Sequence, residues 1–145
     1  MKKFLLLLIL TVTCCISYSQ DIILDKKSKI KKRLEKYYLE TNRKYFFAET
    51  DSTLTYTLTD SVTLPATYVY YFNRQNRCIK QETIYTRDLC LQNGIQESLN
   101  NKYAKWEKLG PESYYAKFPY NTLMETVKEN GQFILRYVHK KRKEL

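Results

Sequence analysis

Thr67-Tyr68-Val69-Tyr70-Tyr71-Phe72, then Asn73-Arg74-Gln75-Asn76-Arg77, then Cys78-Ile79-Lys80-Gln81-Glu82-Thr83-Ile84-Tyr85, is the stretch that decides the fold. Two runs rich in β-branched and aromatic residues flank five polar residues that include two asparagines, which is the composition of a β-hairpin. In the first run both strand faces carry large side chains. A strand loaded in this way is covered on both sides, and an aromatic stripe at period two ordinarily packs against a helix. The alternative is that Tyr68, Tyr70 and Phe72 form an uncovered stripe able to stack on sugars or grip a peptide.

Working outward, Leu54-Thr55-Tyr56-Thr57-Leu58-Thr59 alternates strictly, as a half-buried strand does. Before it, Ser28 is a plausible N-cap for a helix reaching about Thr41, with Ile30, Leu34, Tyr37 and Tyr38 on one side. The other side carries Lys29, Lys31, Lys32, Arg33 and Lys36. After the hairpin, Leu91, Ile95, Leu99 and Tyr103 recur at helical spacing from a cap at Asp88. Gly94 within that run costs about 1 kcal/mol relative to Ala, and Trp106 reads as a core anchor at its end. Gly110-Pro111 is a break, Tyr114 to Phe118 is a short strand, and Pro119 ends it. Thr122–Lys128 and Gln132–Val138 form a second hairpin that turns through Glu129-Asn130-Gly131, the strongest local turn signal in the chain. The tail 139–145 is expected to fray. The predicted order is helix, three strands, helix, three strands. It describes an α+β fold of one antiparallel sheet, or two abutting sheets, in one domain over 20–145, built from two αβββ units.

The chain has 145 residues and a formal charge of +10. Lys2 and Lys3, the apolar run Phe4 to Val12, and Ser17-Tyr18-Ser19 before Gln20 have the pattern of a cleaved secretion signal over 1–19. The run is too short to span a bilayer, which needs about 20 apolar residues, and no later segment is long and apolar enough. Removing the leader leaves about 126 residues with 23 basic against 15 acidic, or +8. A lipoprotein would use Cys14 or Cys15, but neither Thr11-Val12-Thr13 nor Val12-Thr13-Cys14 supplies the expected lead-in, so periplasmic or secreted export without lipid is the expectation.

Export permits disulfides, and Cys78 and Cys90 remain. If Cys78–Tyr85 is a strand, it carries the chain about 23 Å at roughly 3.3 Å per residue. A helix starting just before Cys90 recovers little of that distance. A bridge needs Cα atoms within about 7 Å, so both thiols are expected to be free.

With one histidine (His139, beside the basic tail) and three glycines, the sequence offers no support for a histidine-based site or a glycine-rich phosphate loop. No catalytic, metal-binding or cofactor-binding residues are predicted. The acids are scattered beside Lys and Arg, which leaves a small hydrolase with dispersed carboxylates as an alternative rather than a prediction. Basic residues concentrate at Lys26–Lys36 and Arg136–Lys143. In an exported protein the available anions are lipid head groups, surface polymers and acidic glycans rather than nucleic acid. A solvated helix face is the plainer reading. Asp51-Ser52-Thr53 and Asp60-Ser61-Val62 each match a short bacterial O-glycosylation acceptor at Ser52 and Ser61, although Asp-Ser also simply starts turns.

The leader, the aromatic strand–turn–strand carrying a cysteine (Tyr68 to Ile79), and the helix and Gly-turned hairpin that follow resemble small exported bacterial proteins of uncharacterised function. That resemblance implies no catalytic residues. The expected function is an exported, non-enzymatic binding module for an envelope protein or a glycan. Its candidate surface is Tyr68, Tyr70 and Phe72 together with Lys29, Lys32, Arg33 and Lys36. The alternative is an envelope-associated protein whose basic helix binds anionic polymer or lipid.

Overall fold

The computed structural model describes residues 22–59 and 66–145. The leader 1–19, Cys14 and Cys15, and Ser61 lie outside the described residues. Helix α1 spans Lys27–Glu40 and is followed by β1 (Tyr45–Glu49), β2 (Thr53–Leu58), β3 (Ala66–Phe72) and β4 (Cys78–Tyr85). Helix α2 spans Asp88–Leu99 and is followed by β5 (Trp106–Gly110), β6 (Ser113–Ala116), β7 (Thr122–Glu129) and β8 (Gln132–His139). All eight strands form one sheet in the order β1-β2-β3-β4-β8-β7-β6-β5, antiparallel at every pairing. The fold is α+β.

Each half is therefore α-ββββ, not the αβββ expected from sequence, and the halves join where β4 pairs with β8. The two strands that sequence patterning misses, β1 and β5, are the two outer edges of the sheet. Both are exposed along most of their length, so neither shows the in–out alternation that marks β2 with every second residue buried.

Both helices lie on one face. Ile30, Leu34 and Tyr38, four residues apart on α1, are buried in a single cluster with Leu54, Tyr56, Tyr70, Leu91, Ile95, Leu135 and Tyr137. Ile22 and Ile23, just before α1, are fully buried, and the Leu24 amide donates to the Cys78 carbonyl at 2.7 Å. Gly94 sits where α2 comes closest to the sheet. A Cβ there would lie 2.6 Å from Tyr85 Oη and 3.2 Å from a Leu135 methyl, so close approach of the helix is what requires the glycine. The hydroxyl of Ser98 bonds the Gly94 carbonyl at 2.8 Å and also meets Tyr137 Oη.

Several boundaries depart from expectation. Neither helix has a side-chain cap: Ser28 lies inside α1, whose N-cap is Lys26, and Asp88 lies inside α2, whose N-cap is Arg87. Helix α2 stops at Leu99, because Asn100 and Asn101 take the chain out of the helix, and Tyr103 is exposed. Trp106 consequently opens β5 and donates its indole N–H to the Ser98 carbonyl at 2.9 Å. The terminal hairpin turns where expected, with Asn130 and Gly131 both in the left-handed region at φ 50° and 74°. The tail does not simply fray. A 3-10 turn at Arg142–Glu144 is closed by Glu144 accepting from the Lys141 amide, and Arg142 meets Glu107 on β5 at 2.8 Å.

Candidate functional site: the open face of the sheet

The registers sort the strand residues onto two faces. Tyr56, Tyr68, Thr83 and Leu135 align across β2, β3, β4 and β8 beneath the helices, whereas Thr55, Val69, Glu82 and Arg136 align on the opposite face. No helix among the described residues covers that second face. On β2 it carries Thr53, Thr55 and Thr57, all half-buried, in place of the buried Leu54, Tyr56 and Leu58.

At its centre is an ionic chain. Glu82, Arg136 and Glu125 are direct cross-strand neighbours on β4, β8 and β7. Arg136 Nε donates to Glu82 Oε1 at 2.7 Å, and its terminal nitrogen to Glu125 Oε1 at 3.2 Å. Lys80, two residues from Glu82 on the same face, reaches Oε1 at 3.3 Å. Tyr71 donates its hydroxyl to Glu82 Oε2 at 2.6 Å, and the Lys80 ammonium sits 3.6 Å from the Tyr71 ring centroid. Packed by these neighbours, Glu82 is only 6% exposed although none of the described helices lies over it.

Burial of Glu82 works against its charge. The hydrogen bonds from Tyr71 and Arg136 and the charges of Lys80 and Arg136 outweigh it, and the carboxyl sits below the ordinary range. Burial and the bond to Glu82 push the Tyr71 phenol up to about 12. The cluster therefore holds a fixed carboxylate and a fixed donor across the neutral range. That is the reverse of the shift a carboxyl acid needs to give up a proton at neutral pH. Among the described residues no three His, Cys, Asp or Glu side chains are grouped to hold a metal ion.

The residues singled out from sequence are placed differently. Tyr70 and Phe72 are 2% and 6% exposed, and Tyr68 packs against the same core. They form no surface stripe, because α1 seats Ile30, Leu34 and Tyr38 over them. Lys29, Lys32, Arg33 and Lys36 do line the outer side of α1, but most meet acids. Lys29 and Arg33 both approach Asp25, at 2.8 and 3.7 Å, and Lys36 approaches Glu40 at 3.7 Å. Lys32 is exposed. Ser52 is exposed in the β1–β2 turn. Cys78 and Cys90 are free and buried, and burial pushes the Cys78 thiol up to about 12. His139 Nδ1 donates to the Tyr120 carbonyl at 2.6 Å. No helix among the described residues is long and apolar enough to cross a membrane.

Sequence reasoning missed Tyr71, Lys80, Glu82 and Arg136. A signal was present: Glu82 and Arg136 are charges in the interior of otherwise strongly β-forming runs, where a charge survives only with a partner. What the sequence did not contain was the β4–β8 pairing that joins them across 54 positions. Comparison with protein-family models, with curated proteins and with solved structures found no match.

Proposed function

We propose that the chain is an exported, non-enzymatic binding module that holds an envelope protein or a glycan through the open face of its sheet. The observation that carries this is the asymmetry of the sheet. One face is sealed by two helices, while the other presents half-buried threonine and valine on β2 and β3 beside a paired ionic cluster, with Tyr115, Leu123 and Ile134 buried toward β6, β7 and β8. Such a face offers what a specific interface needs: a rigid backbone, anchoring groups already held in position, and side chains that lose little freedom when covered. The Glu82–Arg136–Glu125 chain is preorganised, so a partner does not have to order it.

Affinity capture from the native envelope tests the reading when three baits are compared. Val69→Glu places an unpaired charge on the open face, and Lys32→Glu changes the outer side of α1. The native chain and Lys32→Glu are expected to retain the same bound species, and Val69→Glu to lose it. Loss with Lys32→Glu and retention with Val69→Glu would transfer the function to the basic helix. That second reading has less support, since Asp25, Glu40 and Glu49 lie against most of the helix's cations.

A further inference from the structure

The two edges of the sheet are built differently. At β5 a register irregularity falls between Lys108 and Gly110, Glu107 and Lys108 are charged, and Arg142 of the terminal 3-10 turn reaches Glu107. Bulges, charges and a covering segment are the devices that stop an edge from pairing further. β1 has no irregularity in its pairing with β2, and it displays Phe46 at 74% and Phe47 at 39% exposure.

Its free hydrogen-bonding groups can be assigned. The Thr59 amide donates to the Lys44 carbonyl at 3.0 Å, and the Thr50 amide to the Thr53 carbonyl at 3.1 Å. Lys44 and Thr50 are thus bonded toward β2, as are Phe46 and Ala48 at the same parity. Tyr45, Phe47 and Glu49 point their N–H and C=O groups away from β2, at the outer edge of the sheet.

We propose that β1 pairs antiparallel with β1 of a second copy of this chain, about a two-fold axis at Phe47. That register matches every outward group with an outward group: Phe47 with Phe47, and Tyr45 with Glu49, in both directions. It places the exposed ring of Phe46 beside the small Ala48 of the second copy on the open face. It also satisfies charge. Arg43 precedes the strand and Asp51 lies just beyond its end, so antiparallel pairing sets Arg43 opposite Asp51, while Glu49 stays with Lys27 and Lys31 of its own copy. Parallel pairing would set like on like. The product is one continuous sheet across both copies, closed by the two-fold because the β5 edges are blunted. An axis perpendicular to the sheet turns both open faces the same way, giving a bivalent surface. The pairing itself does not depend on what that face binds.

Analytical ultracentrifugation of the purified chain from about 1 to 500 µM at roughly 0.15 M salt is the test. The expected result is a concentration-dependent monomer–dimer equilibrium with no larger species. Ala48→Glu, whose side chain stays on the open face, is expected to raise the dimer dissociation constant at least about tenfold while circular dichroism and melting temperature, taken at concentrations where both chains are monomeric, stay put. Phe47→Cys is expected to give a disulfide-linked dimer on mild oxidation. Directly opposed residues of a hydrogen-bonded pair have Cα atoms about 5.5 Å apart, within disulfide reach. The same chain with Phe47 retained supplies the uncrosslinked control, Cys78 and Cys90 being buried and Cys14 and Cys15 replaced by Ser in both. A monomer throughout the range, a dimer indifferent to Ala48→Glu, or a Phe47→Cys chain that does not cross-link would each overturn the proposal. So would a monomer whose β1 takes up an added unrelated peptide.

Discussion

Tyr70 and Tyr71 are neighbours in sequence and opposites in environment. Tyr70 is 2% exposed beneath α1, and burial, its largest influence, pushes its phenol well above the ordinary value. Tyr71 lies on the open face and spends its hydroxyl on Glu82. One residue serves a core held by apolar area, the other a surface held by polar geometry. The same contrast runs along β2, where leucine and tyrosine alternate with threonine. The β2–β3 part of the sheet thus has a covered side that makes the core and an open side of half-buried residues, and substitutions on the two should behave differently.

The largest effect belongs to the covered face. Leu54→Ala removes a fully buried side chain from the joint core, and chemical denaturation should show a loss of about 2–5 kcal/mol. On the open face the buried Tyr115, Leu123 and Ile134 should behave like core, and among its polar residues only the cluster should approach that size. Arg136→Met leaves Glu82 with Tyr71 and Lys80 alone, and a loss of about 2–3 kcal/mol is expected, below the usual figure for a broken buried pair because those partners remain. A loss under about 0.5 kcal/mol would show that the cluster is solvated and that the contrast between faces is complete.

Acid titration sharpens the same point. The folded-state value of Glu82 is lowered, so its contribution is fully present above the unfolded carboxyl value of about 4.3 and disappears as pH falls through the lowered one. Glu82→Gln should flatten that part of the stability curve, while Glu49, lowered chiefly by its hydrogen bond from Lys31, keeps a residual slope. An unchanged acid limb in Glu82→Gln would mean that the carboxyl is not held as described. At Gly94, Ala gains about 1 kcal/mol of helix propensity but meets Tyr85 Oη, and the overpacking costs about 1–3 kcal/mol. A small net loss is therefore expected by thermal melting, and combining Gly94→Ala with Tyr85→Phe should recover part of it. The smallest effect is at Thr55→Ser on the open face, within about 0.5 kcal/mol.

The covered face was the legible one. Hydrophobic period two on Leu54–Leu58 and period four on Ile30, Leu34 and Tyr38 are local signals, and the Asn130-Gly131 turn is set by two residues alone. The β1 and β5 edges were not legible, because an edge strand buries too little to impose alternation. The open-face cluster was half legible: Glu82 and Arg136 stand out as charges in β-forming runs, yet their meeting depends on how two distant hairpins abut. The aromatic stripe was readable as core or surface, and only the position of α1 decides between them.

The central claim is that the covered face of the sheet makes the fold and the open face makes the contact. Hydroxyl-radical footprinting of the chain with and without the species that affinity capture retains tests it most directly. Protection at Val69, Tyr71 and Val138, with Lys32 and Leu39 on α1 unchanged, is the predicted result. Protection confined to α1, with Val69 and Tyr71 labelled as in the free chain, would contradict it.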